Sequence, residues 1–396
     1  MEINVRQNDS FWYYSQLFNV PLLLIENSNP QVNPKRLMIG QSIQIPGYLI
    51  EQYTVKSNDT AWTIAMANNL QLDSLYVLNQ SIDLNHLQIG QKINIPQRVT
   101  NMLISDIDNY SYEKLSNDIE LLQSVYPFIF RKNIGHSVMG KDLIELKIGV
   151  GSKSVHLNGS FHANEWITTP IIMVFLNQYA LAVTNSMPIR GIDMYPLFVH
   201  TMLSIVPMVN PDGVNLVIGG STTAGEFEQS VLEINNNQTD FSNWKANIHG
   251  VDLNNQFPAL WELEAERKPK TPEPRDYPGP YPLSEPESIA MAELTRQSNF
   301  ERVNAFHTQG EEIYWGFQGL EPPISEVIVN EYVRVSGYVA VKNIDSYAGY
   351  KDWFIQDFRK PGFTVELGRG VNPLPIEQFQ SIYQRSLGIM LANLYL

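Results

Sequence analysis

The first hundred residues carry the same order of hydrophobic and polar positions twice. In each copy, short alternating segments predict strands at both ends, and two segments with apolar residues every three to four positions predict helices between them. In the first copy these elements are Ile3–Val5, Ser10–Phe18, Pro21–Asn27 and Ser42–Ile45. In the second they are Tyr53–Val55, Thr60–Asn68, Leu72–Asn79 and Lys92–Ile95. Residues 1–48 and 51–97 are therefore predicted to be two small βααβ domains.

Local sequence supports the duplication. Ile39–Gln41 recurs as Ile89–Gln91, and both copies end in an Ile-Pro step. An Asp precedes the first helix of each copy, and we expect Asp9 and Asp59 to be the N-caps of those helices. The Asp-Ser/Thr step, the Asn after the second helix and the Ile-Gly-Gln turn resemble the LysM family. This resemblance implies binding of N-acetylglucosamine polymers, in bacteria the glycan of peptidoglycan. A small structural or protein-docking module is the alternative interpretation.

A different pattern begins after a linker at residues 98–109. Ser111 is placed to cap a helix, and apolar strands then alternate with helices as far as the C-terminus. The predicted strands are Leu143–Val150, Ser154–Asn158, Leu203–Met208, Arg302–Phe306 and Gly362–Leu367. The later helices are predicted at Ile167–Thr184, Ser284–Gln297, Pro323–Ser336 and Pro375–Tyr395, and the Pro-rich, charged stretch Glu262–Pro286 is predicted to be a surface loop. Residues 110–396 are thus predicted to form one α/β domain whose mixed sheet is flanked by helices.

Composition excludes several function classes. The net charge of −14 argues against a nucleic-acid partner. The first hundred residues hold six basic and seven acidic residues, so about −13 falls on residues 101–396. The chain has no cysteine, which leaves His, Asp and Glu as the ligands for any zinc ion. No apolar run approaches the ~20 residues of a membrane span, and we expect a protein made in the cytoplasm without a signal peptide.

Three segments of the α/β region carry residues suited to metal chemistry. His162 and Glu165 follow a predicted strand and precede an apolar helix, so both side chains can turn toward one point. His307 ends another predicted strand, and strand ends of this kind are where open α/β sheets place their ligands. Glu366 interrupts a β-rich segment, where a carboxylate is costly unless it is paired or functional. Each residue alone could be a satisfied core polar group, but the series favours a zinc site.

In order and local sequence, this region resembles the M14 zinc carboxypeptidase family. Besides the segments above, the matching stretches are Ile134–Ser137, Val209–Gly213, Gly250–Asn254 and Ser284–Glu287. The resemblance implies a carboxypeptidase-like fold, one Zn²⁺ per chain bound by His162, Glu165 and His307, and Glu366 as general base. The family places an Arg that stabilises the oxyanion after a Trp, and here Lys245 stands at that position.

The substrate-binding positions depart from the family pattern. Asn254 is kept, but Asn255 occupies the place of the Arg that clamps a C-terminal carboxylate, so a bidentate guanidinium grip is lost. Tyr347 is the candidate for the tyrosine that covers the site in the family. Arg369 could supply replacement positive charge, or could form a surface salt bridge.

The two predicted halves together suggest a substrate in the bacterial wall. The pairing with LysM units and the Asn-Asn-Gln variant resemble the γ-D-glutamyl-L-diamino acid endopeptidases of the M14 family. This implies cleavage between γ-D-glutamate and the L-centre of diaminopimelate or lysine in peptidoglycan stem peptides, in association with a spore or cell wall and with sporulation. A metallocarboxypeptidase that trims protein C-termini and a non-catalytic wall or spore-layer protein are the alternatives.

Overall fold

The computed structural model describes all 396 residues. Their contacts group into two compact units, each built from several stretches of chain. Unit 1 contains Met1–Leu103, Asp118–Phe130 and Asn177–Tyr195, and unit 2 contains Ile104–Asn117, Arg131–Leu176 and Pro196–Leu396.

The two predicted βααβ copies are present in unit 1. The first consists of β1 (Glu2–Asn4), α1 (Phe11–Phe18), α2 (Leu22–Asn27) and β2 (Ser42–Gln44). The second consists of β3 (Tyr48–Thr54), α3 (Ala61–Ala67), α4 (Leu72–Leu78) and β4 (Lys92–Arg98). In each copy the two strands pair antiparallel, and the second copy packs its helices and strands around its own apolar cluster, which includes Ile64, Leu75 and Ile93.

The N-caps lie one residue later than predicted. The Ser10 hydroxyl accepts the N–H of Tyr13, and the Thr60 hydroxyl accepts the N–H of Thr63. The prediction of Asp9 and Asp59 was wrong because each carboxylate closes the preceding turn. Asp9 Oδ2 accepts the N–H of Arg6 at 3.0 Å, and Asp59 Oδ2 accepts the N–H of Lys56 at 2.6 Å.

Polar contacts join the two copies directly. The Arg6 guanidinium donates to both carboxylate oxygens of Asp73 across the interface, at 3.0 and 2.5 Å. The Tyr13 hydroxyl donates to the same carboxylate at 2.5 Å, and the Gln80 amide donates to the Asn4 carbonyl at 2.7 Å. This network orients the two copies as a pair.

The rest of the chain supplies ten α-helices and ten strands, besides four short 3₁₀ helices. The strands are β5 (Phe130–His136), β6 (Asp142–Ile148), β7 (Lys153–Gly159), β8 (Pro188–Ile189), β9 (Ile192–Asp193), β10 (Thr201–Val206), β11 (Arg302–Thr308), β12 (Glu312–Tyr314), β13 (Val339–Val341) and β14 (Gly362–Leu367). The α-helices are α5 (Tyr112–Val125), α6 (Thr168–Asn185), α7 (Met194–His200), α8 (Pro211–Gly219), α9 (Glu228–Ile234), α10 (Trp261–Arg267), α11 (Pro286–Gln297), α12 (Ile324–Ser336), α13 (Tyr350–Phe358) and α14 (Phe379–Tyr395).

An eight-stranded sheet forms the centre of the α/β fold, in the order β13-β12-β14-β11-β7-β10-β6-β5. The four middle strands, β14, β11, β7 and β10, run parallel, whereas β6 and β12 run antiparallel to their neighbours β10 and β14. All seven residues of β11 are buried. The predicted mixed sheet is therefore confirmed, and its parallel centre brings the carboxyl ends of β7, β11 and β14 to one edge.

The stretch Glu262–Pro286 is not entirely a loop as predicted, because most of α10 lies within it and Tyr277 is buried.

The segment Ala163–Asn185 is long and apolar enough to cross a membrane, judged by length and composition alone. However, 89% of its most apolar stretch is buried inside the fold, as expected for a core helix.

The turn between the two copies lies against the C-terminal end of α6 within unit 1. Gly47 there has a φ of +78°, and an added Cβ would lie 2.2 Å from Thr184 Cγ2, so only glycine fits. Arg98 donates to the Thr184 carbonyl at 3.0 Å and to Asn185 Oδ1 at 2.7 Å, and also to the Phe18 carbonyl at 2.9 Å. One guanidinium thus joins both copies to the last turn of this helix.

Candidate active site

A sharp turn after β7 positions the first pair of predicted ligands. Ser160 adopts a left-handed φ of 52°, and its N–H donates to Thr168 Oγ1 at 2.8 Å. The Ser160 hydroxyl also lies 2.7 Å from Thr169 Oγ1 at the start of α6. The chain then enters a single 3₁₀ turn that turns both His162 and Glu165 into the interior.

The second pair comes from adjacent parallel strands. His307 on β11 lies in register with Glu366 on β14, so the two side chains emerge side by side near the carboxyl ends of their strands. The His307 ring stacks on Phe161 with centroids 6.0 Å apart and an interplanar angle of 10°. The strands therefore fix the position of His307, and the aromatic contact fixes the plane of its ring.

Three donor groups converge at this edge of the sheet. The Nδ1 atoms of His162 and His307 lie 3.2 Å apart, and each lies 2.9 Å from an oxygen of the Glu165 carboxylate. All three residues are buried, and their ligand atoms lie within 4.8 Å of one another. Two imidazole nitrogens and a carboxylate that face one point suit a divalent cation, and this donor set is typical of catalytic zinc. The residues fit the zinc predicted from the sequence.

Neighbouring groups hold these ligands in place. Asp252 Oδ1 lies 3.2 Å from His162 Nε2, so its carboxylate accepts that N–H and leaves Nδ1 free for a metal. The backbone N–H of Thr308 donates to Glu165 Oε2 at 3.2 Å, and the Asn372 amide donates to Glu165 Oε1 at 3.4 Å. Both oxygens of the Glu165 carboxylate are thereby oriented.

The electrostatics of the cluster favour positive charge at its centre. Burial lowers the pKa of the His162 imidazole, but the carboxylates of Glu165 and Asp252 outweigh burial and raise that pKa to about 9. Burial opposes ionisation of Glu165, yet the two imidazoles hold its pKa well below the usual range. Burial and the charge of Glu165 raise the pKa of Glu366. The site thus keeps Glu165 ionised and makes Glu366 more basic than an ordinary carboxylate.

A cavity of about 280 Å³ opens beside the cluster. Four of the predicted site residues line it, namely His162, Glu165, Lys245 and Glu366. Burial lowers the pKa of Lys245, but Glu165 and Asp252 outweigh burial and raise that pKa, so its ammonium stays charged. A carboxylate base and a cation therefore face the same small space next to the metal ligands.

The predicted substrate-binding residues do not line this cavity. Asn254 Oδ1 accepts the N–H of Tyr350 at 3.1 Å at the start of α13, and Asn255 is buried with 8% exposure. The Tyr347 ring packs under the Arg267 guanidinium, 4.9 Å away. Substrate-binding roles for Asn254, Asn255 and Tyr347 stay predictions.

Arg369 is also outside the cavity lining. Its Nε lies 2.8 Å from Glu311 Oε2, and its side chain is 71% exposed, which corresponds to the salt-bridge alternative in the sequence analysis. Two residues that sequence reasoning missed do line the cavity, Arg275 and Tyr314. The Tyr314 hydroxyl donates to Glu312 Oε2 at 2.7 Å, on the strand next to Glu366. The period-two pattern of β12 was the available signal for Tyr314, whereas Arg275 lies in a loop with no periodic pattern.

A buried polar group supports the loop that carries Asp252. The Asn247 amide donates to Glu285 Oε2 at 2.8 Å and approaches Glu287 Oε2 at 3.3 Å. Asn247 Oδ1 in turn accepts the N–H of Val251 at 3.1 Å. The carboxylates of Glu285 and Glu287 thus stabilise, through Asn247, the turn that leads to Asp252.

Comparisons with known proteins agree with this geometry. The model of the zinc carboxypeptidase family of M14 peptidases matches residues 115–387, and the LysM domain model matches residues 3–46 and 53–96. The bovine thrombin-activatable fibrinolysis inhibitor, solved with a tick carboxypeptidase inhibitor, superimposes with a TM-score of 0.55 at 20% identity, covering 72% of this chain and 95% of that one. This likeness confirms the carboxypeptidase-like fold.

Two curated relatives are more similar in sequence. Gamma-D-glutamyl-L-diamino acid endopeptidase 1 of Lysinibacillus sphaericus is 62% identical over 396 residues, covering 100% of both chains. The protein YqgT of Bacillus subtilis strain 168 is 47% identical over 290 residues, which cover 72% of this chain and 77% of that one. With the matched domain models and the zinc-binding geometry, these relatives show that the chain belongs to the M14 zinc carboxypeptidase family and is a zinc peptidase with two LysM domains.

Proposed function

We propose that this chain hydrolyses the amide between the γ-carboxyl of D-glutamate and the L-centre of a diamino acid in peptidoglycan stem peptides. The observation that carries the proposal is the 62% identity, over the full length of both chains, to an endopeptidase named for that bond. That alignment spans both LysM domains and the peptidase domain of this chain.

The residues around the cavity have distinct roles in this reaction. Bound zinc supplies Lewis-acid polarisation of the scissile carbonyl and lowers the pKa of water toward ~7. Glu366 removes the proton from the attacking water and later delivers it to the leaving amine, a role that its raised basicity supports. Lys245, charged and lining the same cavity, stabilises the oxyanion that develops on the carbonyl oxygen.

The composition of the site fits an endopeptidase better than a carboxypeptidase. The guanidinium that would clamp a C-terminal carboxylate is replaced by Asn255, which is buried and does not line the cavity. A γ-linked D-glutamate has a free α-carboxylate beside the scissile amide, so its recognition does not require the end of a chain. Either diaminopimelate or lysine can follow that amide.

The LysM domains bring the enzyme to the glycan of the same polymer. The second domain has a groove of about 380 Å³ lined by Asp59, Thr60, Trp62 and Tyr76 among others. Trp62 is 60% exposed at the groove, and Trp12 is 64% exposed at the matching position of the first domain. Exposed aromatic rings stack on the apolar faces of sugars, so the groove of the second domain and the exposed Trp12 of the first suit N-acetylglucosamine units. The enzyme accordingly acts at a spore or cell wall, where binding raises its local concentration near stem peptides.

Product analysis by mass spectrometry tests the catalytic proposal. The zinc-loaded full chain is incubated with L-Ala-γ-D-Glu-meso-diaminopimelate, beside Glu366→Ala and the control Glu326→Ala, which changes an exposed acid of α12. Release of L-Ala-D-Glu by the wild type and the control, but not by Glu366→Ala, is expected. An intact tripeptide, together with trimming of an ordinary L-peptide from its C-terminus, would establish the carboxypeptidase alternative instead.

Sedimentation with peptidoglycan stripped of its stem peptides tests the glycan proposal. The variant with Trp12→Ala and Trp62→Ala is expected to remain in the supernatant, while the wild type and the control Met66→Ala sediment. Met66 is 48% exposed on α3 but does not line the groove. Equal sedimentation of all three proteins would contradict a role for these two tryptophans.

A further inference from the structure

The active-site cavity contains a second cation besides Lys245, and it is not the one that the sequence indicates. Arg369 is held by Glu311 away from the cavity, and the family's clamp position is occupied by Asn255. Arg275 instead lines the cavity together with His162, Glu165, Lys245 and Glu366.

Backbone hydrogen bonds fix the loop that carries Arg275. The carbonyl of Pro274 accepts the N–H groups of both Lys245 and Ala246, at 2.8 and 3.0 Å. On the other side of the arginine, the carbonyl of Tyr277 accepts the N–H of Asp252 at 2.7 Å. The backbone of Arg275 is therefore held between the segment that carries Lys245 and the residue Asp252, next to the reacting centre.

The Arg275 guanidinium has free donors. Its Nε lies 3.1 Å from Asp276 Oδ2, and its two terminal nitrogens have no partner in the protein. The side chain is 52% exposed, and an ion pair this open contributes little to stability. Two parallel N–H groups on one planar fork match the oxygens of a carboxylate. The geometry thus provides a carboxylate-binding group that the fold itself does not use.

We propose that Arg275 binds a substrate carboxylate flanking the scissile amide. This inference rests on the proposed function, whose substrate presents two such groups. One is the α-carboxylate of the γ-linked D-glutamate, and the other is the carboxylate on the L-centre of the diamino acid, which is free where that residue ends the stem peptide. An ordinary α-linked peptide has no main-chain carboxylate on the acyl side of the scissile amide, so a guanidinium that binds the first group would select stem peptides over ordinary peptides.

Steady-state kinetics with three matched substrates test this assignment. They are L-Ala-γ-D-Glu-meso-diaminopimelate, its analogue with the glutamate α-carboxylate converted to the amide, and its analogue amidated at the L-centre of the diamino acid. Wild type, Arg275→Gln and Arg275→Lys are compared with the control Arg334→Gln, which changes an exposed arginine of α12 that is paired with Glu331. Zinc content and thermal unfolding are measured for each protein.

The wild type is expected to lose about 10- to 100-fold in kcat/KM on one of the two amidated substrates, the magnitude of one charge-assisted contact. On the free acid, Arg275→Gln is expected to have a kcat/KM lower than that of the wild type by a similar factor. On that amidated substrate, its kcat/KM is expected to equal that of the wild type. Arg275→Lys is expected to recover only part of the loss, because an ammonium cannot form the bidentate contact. The amide that removes the effect of Arg275 identifies which carboxylate is bound.

Two outcomes separate this inference from the proposed function. If the wild type cleaves the tripeptide and Arg275→Gln still discriminates between acid and amide as the wild type does, the assignment of Arg275 is wrong and the proposed function stands. If the wild type does not release L-Ala-D-Glu at all, the proposed function fails first. A change in Arg275→Gln that also appears in Arg334→Gln would mean a general loss of charge and would overturn the inference.

Discussion

Replacing Glu287 by glutamine is expected to change how stability depends on pH. Glu287 is fully buried at the start of α11, where its Oε1 accepts the N–H of Val138 at 3.1 Å. Burial, with the nearby charges of Asp212 and Glu285, raises its pKa from 4.5 to about 7. Because the folded-state pKa is above the unfolded value, its stabilisation is complete below the unfolded pKa and is lost as pH rises through about 7.

The size of the effect follows from that shift. Between about pH 5 and about pH 8, ionisation of one such carboxyl lowers the free energy of unfolding by about 2 to 3 kcal/mol. Glutamine cannot ionise, so the free energy of unfolding of Glu287→Gln is expected not to show this decrease. The difference in free energy of unfolding between the variant and the wild type should therefore shift in favour of the variant by this amount over the same interval. Urea unfolding of the zinc-loaded full chain at several pH values measures the difference, with Glu326→Gln as the control for an exposed carboxylate. Parallel pH profiles for Glu287→Gln and the wild type would refute the reasoning.

Three further changes test other parts of the structure. Asp252→Asn is expected to weaken zinc binding by about 10- to 100-fold, because the charged carboxylate that accepts the His162 N–H is replaced by a neutral and weaker amide acceptor. Competition with a chelator measures the affinity, and an unchanged affinity would contradict this role. Lys245→Met is expected to lower kcat by roughly 100-fold with a much smaller change in KM, because Lys245 stabilises the oxyanion of the transition state. A change confined to KM would mean that Lys245 binds the ground state of the substrate instead. Gly47→Ala is expected to destabilise the chain by about 1 to 3 kcal/mol in thermal unfolding, since its Cβ would collide with Thr184; an unchanged Tm would mean that the turn rearranges freely.

The metal ligands could be predicted because their signals are local. His162 and Glu165 lie three positions apart after one strand, and His307 and Glu366 each lie near the end of another. Since parallel strands bring their carboxyl ends together, local sequence and one topological rule were sufficient to place these four side chains at one edge. The LysM duplication was recognisable for a similar reason, as its period is fixed.

The residues that depend on contacts between distant segments could not be predicted in the same way. Arg275 reaches the cavity because Pro274 accepts hydrogen bonds from a segment about thirty residues earlier. Asn254 keeps a family identity, yet its side chain caps α13 and does not line the cavity. Even the N-caps at Ser10 and Thr60 depended on which of two adjacent polar side chains closes the preceding turn. In each case the choice is made by hydrogen-bond partners that sequence spacing does not specify.

The ion pair between Arg6 and Asp73 has a consequence for how a polymer would be bound. With the contacts of Tyr13 and Gln80, it holds the two LysM domains at one mutual orientation, with a turn at Gly47 in place of a flexible linker. A glycan strand bound by both domains at once would have to fit the mutual orientation that these contacts favour. The two LysM domains together would therefore favour glycan strands whose sugar spacing and local curvature suit both domains at once.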